Sequence, residues 1–318
     1  MWVECGLERV APERPVALTI GSFDGVHRGH QALIRQLVTQ AQADGQEAVV
    51  LTFDPLPRQF FGGGRRVLLS SLEERLTYLE ALGLDGVAIL PFDATTAALS
   101  ARAFVEPLVK RLHMATLWAG SDFALGRDRE GDVVFLAELG RVLGFEVRTF
   151  APFVWQGAPV RSTRIRQALQ IGDVQLAAAL LTRPYRITGT VIHGDGRGHQ
   201  LSFPTANLAV SAERILPAHG IYAGLAYLPW GKFGMVANIG TRPTFGLTEI
   251  TVEAHLLDFA ADIYGQSLAV DFMVRLRPEL TFGSAMTLAA QMQQDRDQAR
   301  EWLAARALLT PALVPQRG

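Results

Sequence analysis

Val16-Ala17-Leu18-Thr19-Ile20, running directly into Gly21-Ser22-Phe23-Asp24-Gly25-Val26-His27-Arg28-Gly29-His30, is the stretch on which the fold of the first half turns. Five apolar or β-branched residues read as a short buried strand, and the glycine-bearing turn leads into a helix. In that helix Leu33, Ile34, Leu37, Val38 and Ala41 fall on one face, and Gly45 stands where it should stop. A second apolar run over residues 48–53 completes a βαβ unit. Runs at 87–90, 116–119 and 145–150 continue the alternation, with helical patterns opening at the Ser70-Ser71 and Ser100 cap signals. This spacing predicts an α/β, Rossmann-like fold: a parallel sheet covered on both faces, with ligands outside the C-terminal strand ends. The first such end is the Ile20 to Gly25 turn.

Beyond residue 183 the pattern changes. Runs at 185–192, 221–228, 232–239, 251–259 and 268–276 are separated by Gly and Pro without helical period, which predicts an antiparallel β-barrel or sandwich, closed by a helix over about residues 285–305. The reading is therefore α/β plus β, with units 1–183 and 184–318. The chain's 318 residues, 49% hydrophobic and 19% charged, are enough for two cores. A net charge of −1 supplies no field to recruit a nucleic-acid backbone or an anionic membrane, so neither is an expected partner. The single Cys5 rules out an intrachain disulfide and a thiolate zinc cluster. Charged residues among the first fifteen and the lack of an 18-residue apolar stretch make the expectation a cytoplasmic protein.

Two constellations carry chemistry. His27 and His30 flank Gly29, so from a first helical turn both imidazoles can face one ligand while Gly29 lets a phosphate approach the backbone. Helix N-terminal N–H groups add anion affinity. Such donors suit cleavage of a phosphate bond with charge building on leaving pyrophosphate; the alternative is a pair of ordinary loop histidines. Ser162, Thr163 and Arg166 open a later helix and offer hydroxyl and guanidinium donors. Asp54 and Asp122 follow the second and fourth strands, on the same sheet edge.

In the second half, Gly194, Gly196 and Gly198 alternate along a loop able to wrap phosphates, matching neither a Walker A loop nor G-x-G-x-x-G. Thr205 and Asn207, two apart in an extended segment, point oxygens to one side, as Mg²⁺ with phosphate ligands requires; a self-bonded turn is the alternative. Glu253 lies on a strand alternating with apolar neighbours, where a carboxylate could accept the proton of a primary alcohol, or where Glu253 and His255 could form a solvated face.

The chain resembles the prokaryotic bifunctional riboflavin kinase/FAD synthetase family over nearly its whole length. The resemblance lies in TIGSFDGVHRGH (19–30), LTFDPLP (51–57), GSDFALGRDREGD (120–132) and STRIRQAL (162–169), then VIHGDGRGHQLSFPTANL (191–208), GIYAG (220–224), NIGTRPTFG (238–246), VEAHLLDF (252–259) and DIYGQ (262–266). It implies an adenylyltransferase in the first half. There Gly21, Ser22, Phe23, Asp24 and Gly29 form the nucleotide loop, His27 and His30 meet the ATP phosphates, Ser162, Thr163 and Arg166 complete the grip, and Asp54 and Asp122 lie near the flavin. It implies a kinase in the second half, with Thr205 and Asn207 on Mg²⁺ and nucleotide, Glu253 as base, and Gly194, Gly196 and Gly198 shaping a flap. ATP, riboflavin, FMN and FAD are the implied substrates and products. A flavin-binding or regulatory homologue with only one module active is the rival, and the retained His27, His30, Arg166, Thr205, Asn207 and Glu253 favour the enzyme. The chain departs from the family pattern at Ser22, Leu56, Leu125, Arg161 and Ser202, where Asn, His, Phe, Ser and Gly are usual.

Overall fold

The computed structural model describes residues 1–62, 68–194, 203–244 and 247–309, the side chains of 242–244 and 247–249 excepted. The chain divides into two compact units, Met1–Ser162 and Thr163–Gly318.

In the first unit, strands β1 (Trp2–Cys5), β2 (Val16–Ile20), β3 (Glu47–Phe53), β4 (Gly86–Leu90), β5 (Met114–Gly120) and β6 (Glu146–Phe150) form one sheet in the order β1-β4-β3-β2-β5-β6. Every pairing is parallel. Strands β2 and β3 are buried at each position because both faces are covered. Val16, Leu18, Ile20, Val49, Leu51 and Phe53 point to one side, against Phe104, Val105 and Leu108. Ala17, Ala48 and Val50 point to the other, against Ile34, Leu37 and Leu79. The helices concerned are α1 (Arg28–Ala43), α2 (Leu72–Glu80) and α3 (Ala101–Leu112). Each fully buried Leu or Ile in such a stripe contributes roughly 1.5–3 kcal/mol. The C-terminal ends of β2, β3 and β5 therefore share one edge, as the alternation predicted. Edge strand β1 was not predicted. Its four residues alternate between half-buried and exposed, too short a run to stand out, and it is held by Trp2, whose indole covers Gly86 so closely that a Cβ there would lie 1.9 Å from the ring.

In the second unit, α4 (Ser162–Gln170), whose first residue closes the first unit, and α5 (Val174–Leu181) precede strands β7 (Tyr185–Ile192), β8 (Ala206–Ala209), β9 (Gly220–Leu228), β10 (Gly231–Thr244), β11 (Leu247–Leu256) and β12 (Ser267–Arg277). The strands close into a barrel ordered β7-β8-β11-β10-β9-β12, with antiparallel pairings throughout. Closure removes the exposed edges that an open sheet would present. The sequence pattern changes after residue 183, but the compact division falls after Ser162 because α4 and α5 side with the barrel. The Leu169 carbonyl accepts from Ala218 N at 2.8 Å, Arg275 donates to the Ile171 carbonyl at 3.2 Å, and α5 packs on β7 and β12.

The terminal helix α6 (Ala285–Ala304) buries Ala299 and Leu303, the latter against Leu225 and Leu257. Arg277 on β12 grips Asp295 on α6 with two hydrogen bonds of 2.8 and 2.6 Å, and Gln291 adds a third to the same carboxylate. Asp295 is only 3% exposed, so removing one member strands the other in a poor solvent. Asp295→Ala should lower the stability of the second unit by about 3 kcal/mol, and the double change Arg277→Leu/Asp295→Leu by clearly less. Denaturant unfolding, followed by fluorescence in variants in which Trp302, which lies on α6, is the one tryptophan kept, measures both.

Candidate functional site

The turn after β2 is bent by three left-handed residues, Phe23, Gly25 and Val26, with φ of 46°, 81° and 39°. For a β-branched valine this conformation is costly, and it persists only where the surroundings dictate it. The dictating group is Asp24. Its carboxylate, 2% exposed, accepts from Leu69 N, Ser70 N and the Ser70 hydroxyl, while Gly25 N donates to Ser70 Oγ at 2.8 Å. Ser70 is thereby committed to the turn, and the cap of α2 falls to Ser71, which forms a capping box with Glu74. From the other side, Ser162 Oγ donates to the Asp24 carbonyl at 3.1 Å.

His27 ends the turn and caps α1: its Nδ1 accepts from His30 N at 3.3 Å. The two imidazoles stack, with centroids 3.6 Å apart and planes 16° from parallel, and Phe23 meets His30 edge-on. Gly29 is wedged between the His27 ring and the Val160 carbonyl, each 3.2 Å from where a Cβ would stand. Burial, and secondarily the neighbouring His27, hold His30 well below the ordinary histidine pKa, so at neutral pH it is an uncharged donor. Its Nδ1 is buried without a hydrogen-bond partner.

Arg75 is the residue that sequence reasoning missed. Its guanidinium, 2% exposed, lies beneath the turn and donates through Nη1 to the Ser22 carbonyl at 2.9 Å and to Thr52 Oγ1 at 3.2 Å. Nη2 stands 3.9 Å from Asp54. Burial lowers its pKa while the Asp24, Asp54 and Glu73 carboxylates oppose that shift. The available signal was a charge beside the apolar stripe Leu72, Leu76, Leu79.

Asp54 borders a cavity of about 1060 Å³ lined also by Leu72, Leu90, Pro91, Leu99 and Phe104. Close by in sequence, Phe60 and Phe61 make edge-to-face contacts with Phe92, and Phe61 is 72% exposed. That aromatic cluster was also missed; the doublet Phe60-Phe61 was its only sign. Leu56 is buried in the sheet's apolar core. Arg161 forms an ion pair with Asp122 at 2.8 Å, so a residue next to Ser162 reaches the end of β5. Ser22, Asp24, His27, Gly29, His30 and Ser162 are thus joined in one cluster, with Asp54 linked through Arg75. Thr163 and Arg166 belong to the second unit, Thr163 exposed and Arg166 buried.

The barrel gathers a second set through register. Asn207 on β8 lies opposite Glu253 on β11, and Glu253 lies opposite Asn238 on β10. Directly opposed residues point to the same face, about 4.5–5.5 Å apart at Cβ. Ala206, Ala237, Val252 and Ala254 are buried, which leaves Asn207, Asn238 and Glu253, all half-buried, on the outer face. His255 turns its Nδ1 to the Pro204 carbonyl at 2.9 Å and its ring edge to Phe203, anchoring the segment that delivers Thr205 and Asn207. Gly194 presses on Asn207, 2.3 Å separating its missing Cβ from the amide nitrogen. Gly196 and Gly198 lie outside the described residues, as does Ser202. A hydroxyl from Thr205 and an amide oxygen from Asn207 are hard oxygen donors, which fit a Mg²⁺ that takes the rest of its sphere from phosphate and water, while the Glu253 carboxylate stands across the strand from Asn207.

An open parallel α/β unit and a closed β-barrel unit in one chain define the fold class. The FAD synthetase family matches residues 10–164, and the riboflavin kinase family matches residues 181–303. A bifunctional riboflavin kinase/FMN adenylyltransferase of Escherichia coli (strain K12) is 39% identical over 92% of this chain and 94% of its own length. One from Bacillus subtilis (strain 168) is 33% identical over 89% and 90%. A crystal structure described as a macrolide-efflux protein from Streptococcus pneumoniae superposes with a TM-score of 0.86 at 29% identity, covering 95% of this chain and 100% of that one. Among the described residues here, no helix is long and apolar enough to cross a membrane. The chain belongs to the bifunctional riboflavin kinase/FMN adenylyltransferase family.

The depressed His30 pKa ties the stability of the fold to pH. Below the unfolded value of about 6.5, the unfolded chain binds a proton that the folded chain refuses, so stability falls as pH drops from 7 toward 5. Replacing His30 with Gln should flatten that part of the profile, as measured by denaturant melts of the wild type and the variant at each pH.

Proposed function

We propose that this chain phosphorylates riboflavin to FMN with one ATP, then transfers AMP from a second ATP to FMN, giving FAD and pyrophosphate. The observation that carries the first reaction is the row Asn207, Glu253, Asn238, which sets a carboxylate beside oxygen donors on one face of the barrel. The 5′-hydroxyl oxygen of riboflavin attacks the γ-phosphorus, the bond to the ADP oxygen breaks, and the hydroxyl proton passes to Glu253. Thr205 and Asn207 would hold Mg²⁺, which when bound neutralises phosphate charge. We assign Gly194, Gly196 and Gly198 to the nucleotide flap; Gly194 lets the backbone pass close to Asn207.

The second reaction belongs to the turn after β2. A phosphate oxygen of FMN attacks the α-phosphorus of ATP, and the bond to the β-phosphate breaks with charge moving onto pyrophosphate. His27 and His30 face that charge, and a neutral imidazole N–H at His30 stabilises it without a covalent intermediate. The backbone of residues 21–24 and Gly29 forms the floor, and Ser162, which already donates to the Asp24 carbonyl, supplies a further donor. Asp54, on the wall of the cavity it shares with Leu72, Leu90, Leu99 and Phe104, and Asp122, paired with Arg161, are assigned to the flavin. We divide the chemistry at residue 183, with adenylyl transfer assigned to 1–183 and the kinase to 184–318.

Crossed variants test both assignments. Incubation with riboflavin, ATP and Mg²⁺, followed by chromatographic separation of riboflavin, FMN and FAD, should show Glu253→Gln losing riboflavin phosphorylation by about 10²- to 10⁴-fold while still converting supplied FMN to FAD. His30→Ala should show the reverse, with FAD formation down about a hundredfold and FMN formation intact. Equal loss of both products in either variant would count against the division.

A further inference from the structure

Asn238 is the one member of the barrel row to which the reaction above gives no role, and its side chain is the one left incomplete. Its Oδ1 is buried and has no hydrogen-bond partner among the described residues. Buried acceptors are nearly always satisfied, so one left open at the end of a polar row points to a donor that arrives with a ligand. The surroundings fix what kind of donor. One position further along the same face is Gly240, whose missing side chain leaves space reached by the Glu279 carboxylate, 2.3 Å from where a Cβ would stand, and by the Asn238 amide nitrogen at 3.2 Å. Glycine at 194 lets the backbone close on Asn207, and glycine at 240 lets the Glu279 carboxylate come in beside Asn238. The order across the strands is therefore donor oxygens on β8, carboxylate on β11 and open amide acceptor on β10.

We propose that Asn238 is a substrate-binding residue of the kinase: its Oδ1 accepts a hydrogen bond from the ribityl hydroxyl adjacent to the one that is phosphorylated, and so presents the terminal hydroxyl to Glu253. The inference rests on the riboflavin kinase reading and adds the residue that selects among the polyol hydroxyls. Neighbouring strands lie about 4.8 Å apart. An adjacent hydroxyl on the same carbon chain, together with its hydrogen bond, spans that gap, whereas the isoalloxazine ring has no hydroxyl to offer.

The test removes the hydrogen bond from both sides. On the full chain with Mg²⁺ and ATP, kcat/KM is measured for riboflavin and for 4′-deoxyriboflavin. The wild type should prefer riboflavin by about tenfold or more, Asn238→Ala should lose about that factor on riboflavin, and the variant should no longer distinguish the two compounds. A purely structural role would lower both rates and leave the preference intact, which would overturn the proposal. So would a wild type indifferent to the 4′-hydroxyl. Conversion of supplied FMN to FAD reports that the variant chain is otherwise whole. If Asn238→Ala does not melt cooperatively, Asn238→Leu, which keeps the volume and removes the acceptor, carries the same comparison. A wild type that makes no FMN from riboflavin at all would bring down the kinase reading itself, whereas a wild type that does so and an Asn238→Ala that keeps the preference bring down only this assignment.

Discussion

Everything around the first turn follows from one buried carboxylate. Asp24 is almost wholly withdrawn from water, and its oxygens are committed to the backbone of Leu69 and Ser70 and to the Ser70 hydroxyl. A carboxylate so placed needs those donors, and the donors are available only if the chain enters α2 where it does. The same clamp holds Phe23 and Val26 in a backbone region they would otherwise avoid. Held there, the turn delivers His27 to the cap of α1 and stacks it on His30. Arg75 performs the complementary task from below, since its guanidinium holds the Ser22 carbonyl and leans toward Asp54. The turn is thus held by an anion on one side and a cation on the other, both taken out of solvent.

The barrel solves the same problem by a different route. Asn207, Glu253 and Asn238 share a face because three antiparallel strands are in register, and alternation turns their neighbours into the core. His255 is the exception that ties the row to the preceding segment, through the Pro204 carbonyl and the Phe203 ring. Thr205 and Asn207 therefore reach the row from an extended stretch pinned at Phe203 and Pro204 rather than from a self-bonded turn.

The sequence made the long-period features legible. Apolar runs marked β2 to β6, a 3.6-residue stripe marked α1, and the loss of that period after residue 183 marked the barrel. What stayed hidden was whatever depends on contact rather than spacing. Strand β1 was missed because an edge strand has one exposed face, and β8 because its four residues were read only as part of an extended motif. The two helices before residue 183 have an ordinary helical pattern, and nothing in it says which unit they pack against. Arg75 looks like a surface charge until its helix is docked. Asn238 acquires a meaning only when β10 is laid beside β11, thirty or so residues after the segment that holds Asn207.

A site written by register rather than by adjacency constrains how such a chain can drift. Lengthening a connection outside the paired segments leaves the row untouched. Gaining or losing a single residue within the paired part of β11 would turn Glu253 toward the barrel interior and bring Val252 or Ala254 to the outer face, exchanging a carboxylate for an apolar side chain without altering a single side chain of the row. Among descendants of this fold, length variation should therefore be free in the loops and forbidden, except in steps of two, within the strands that carry the three polar residues.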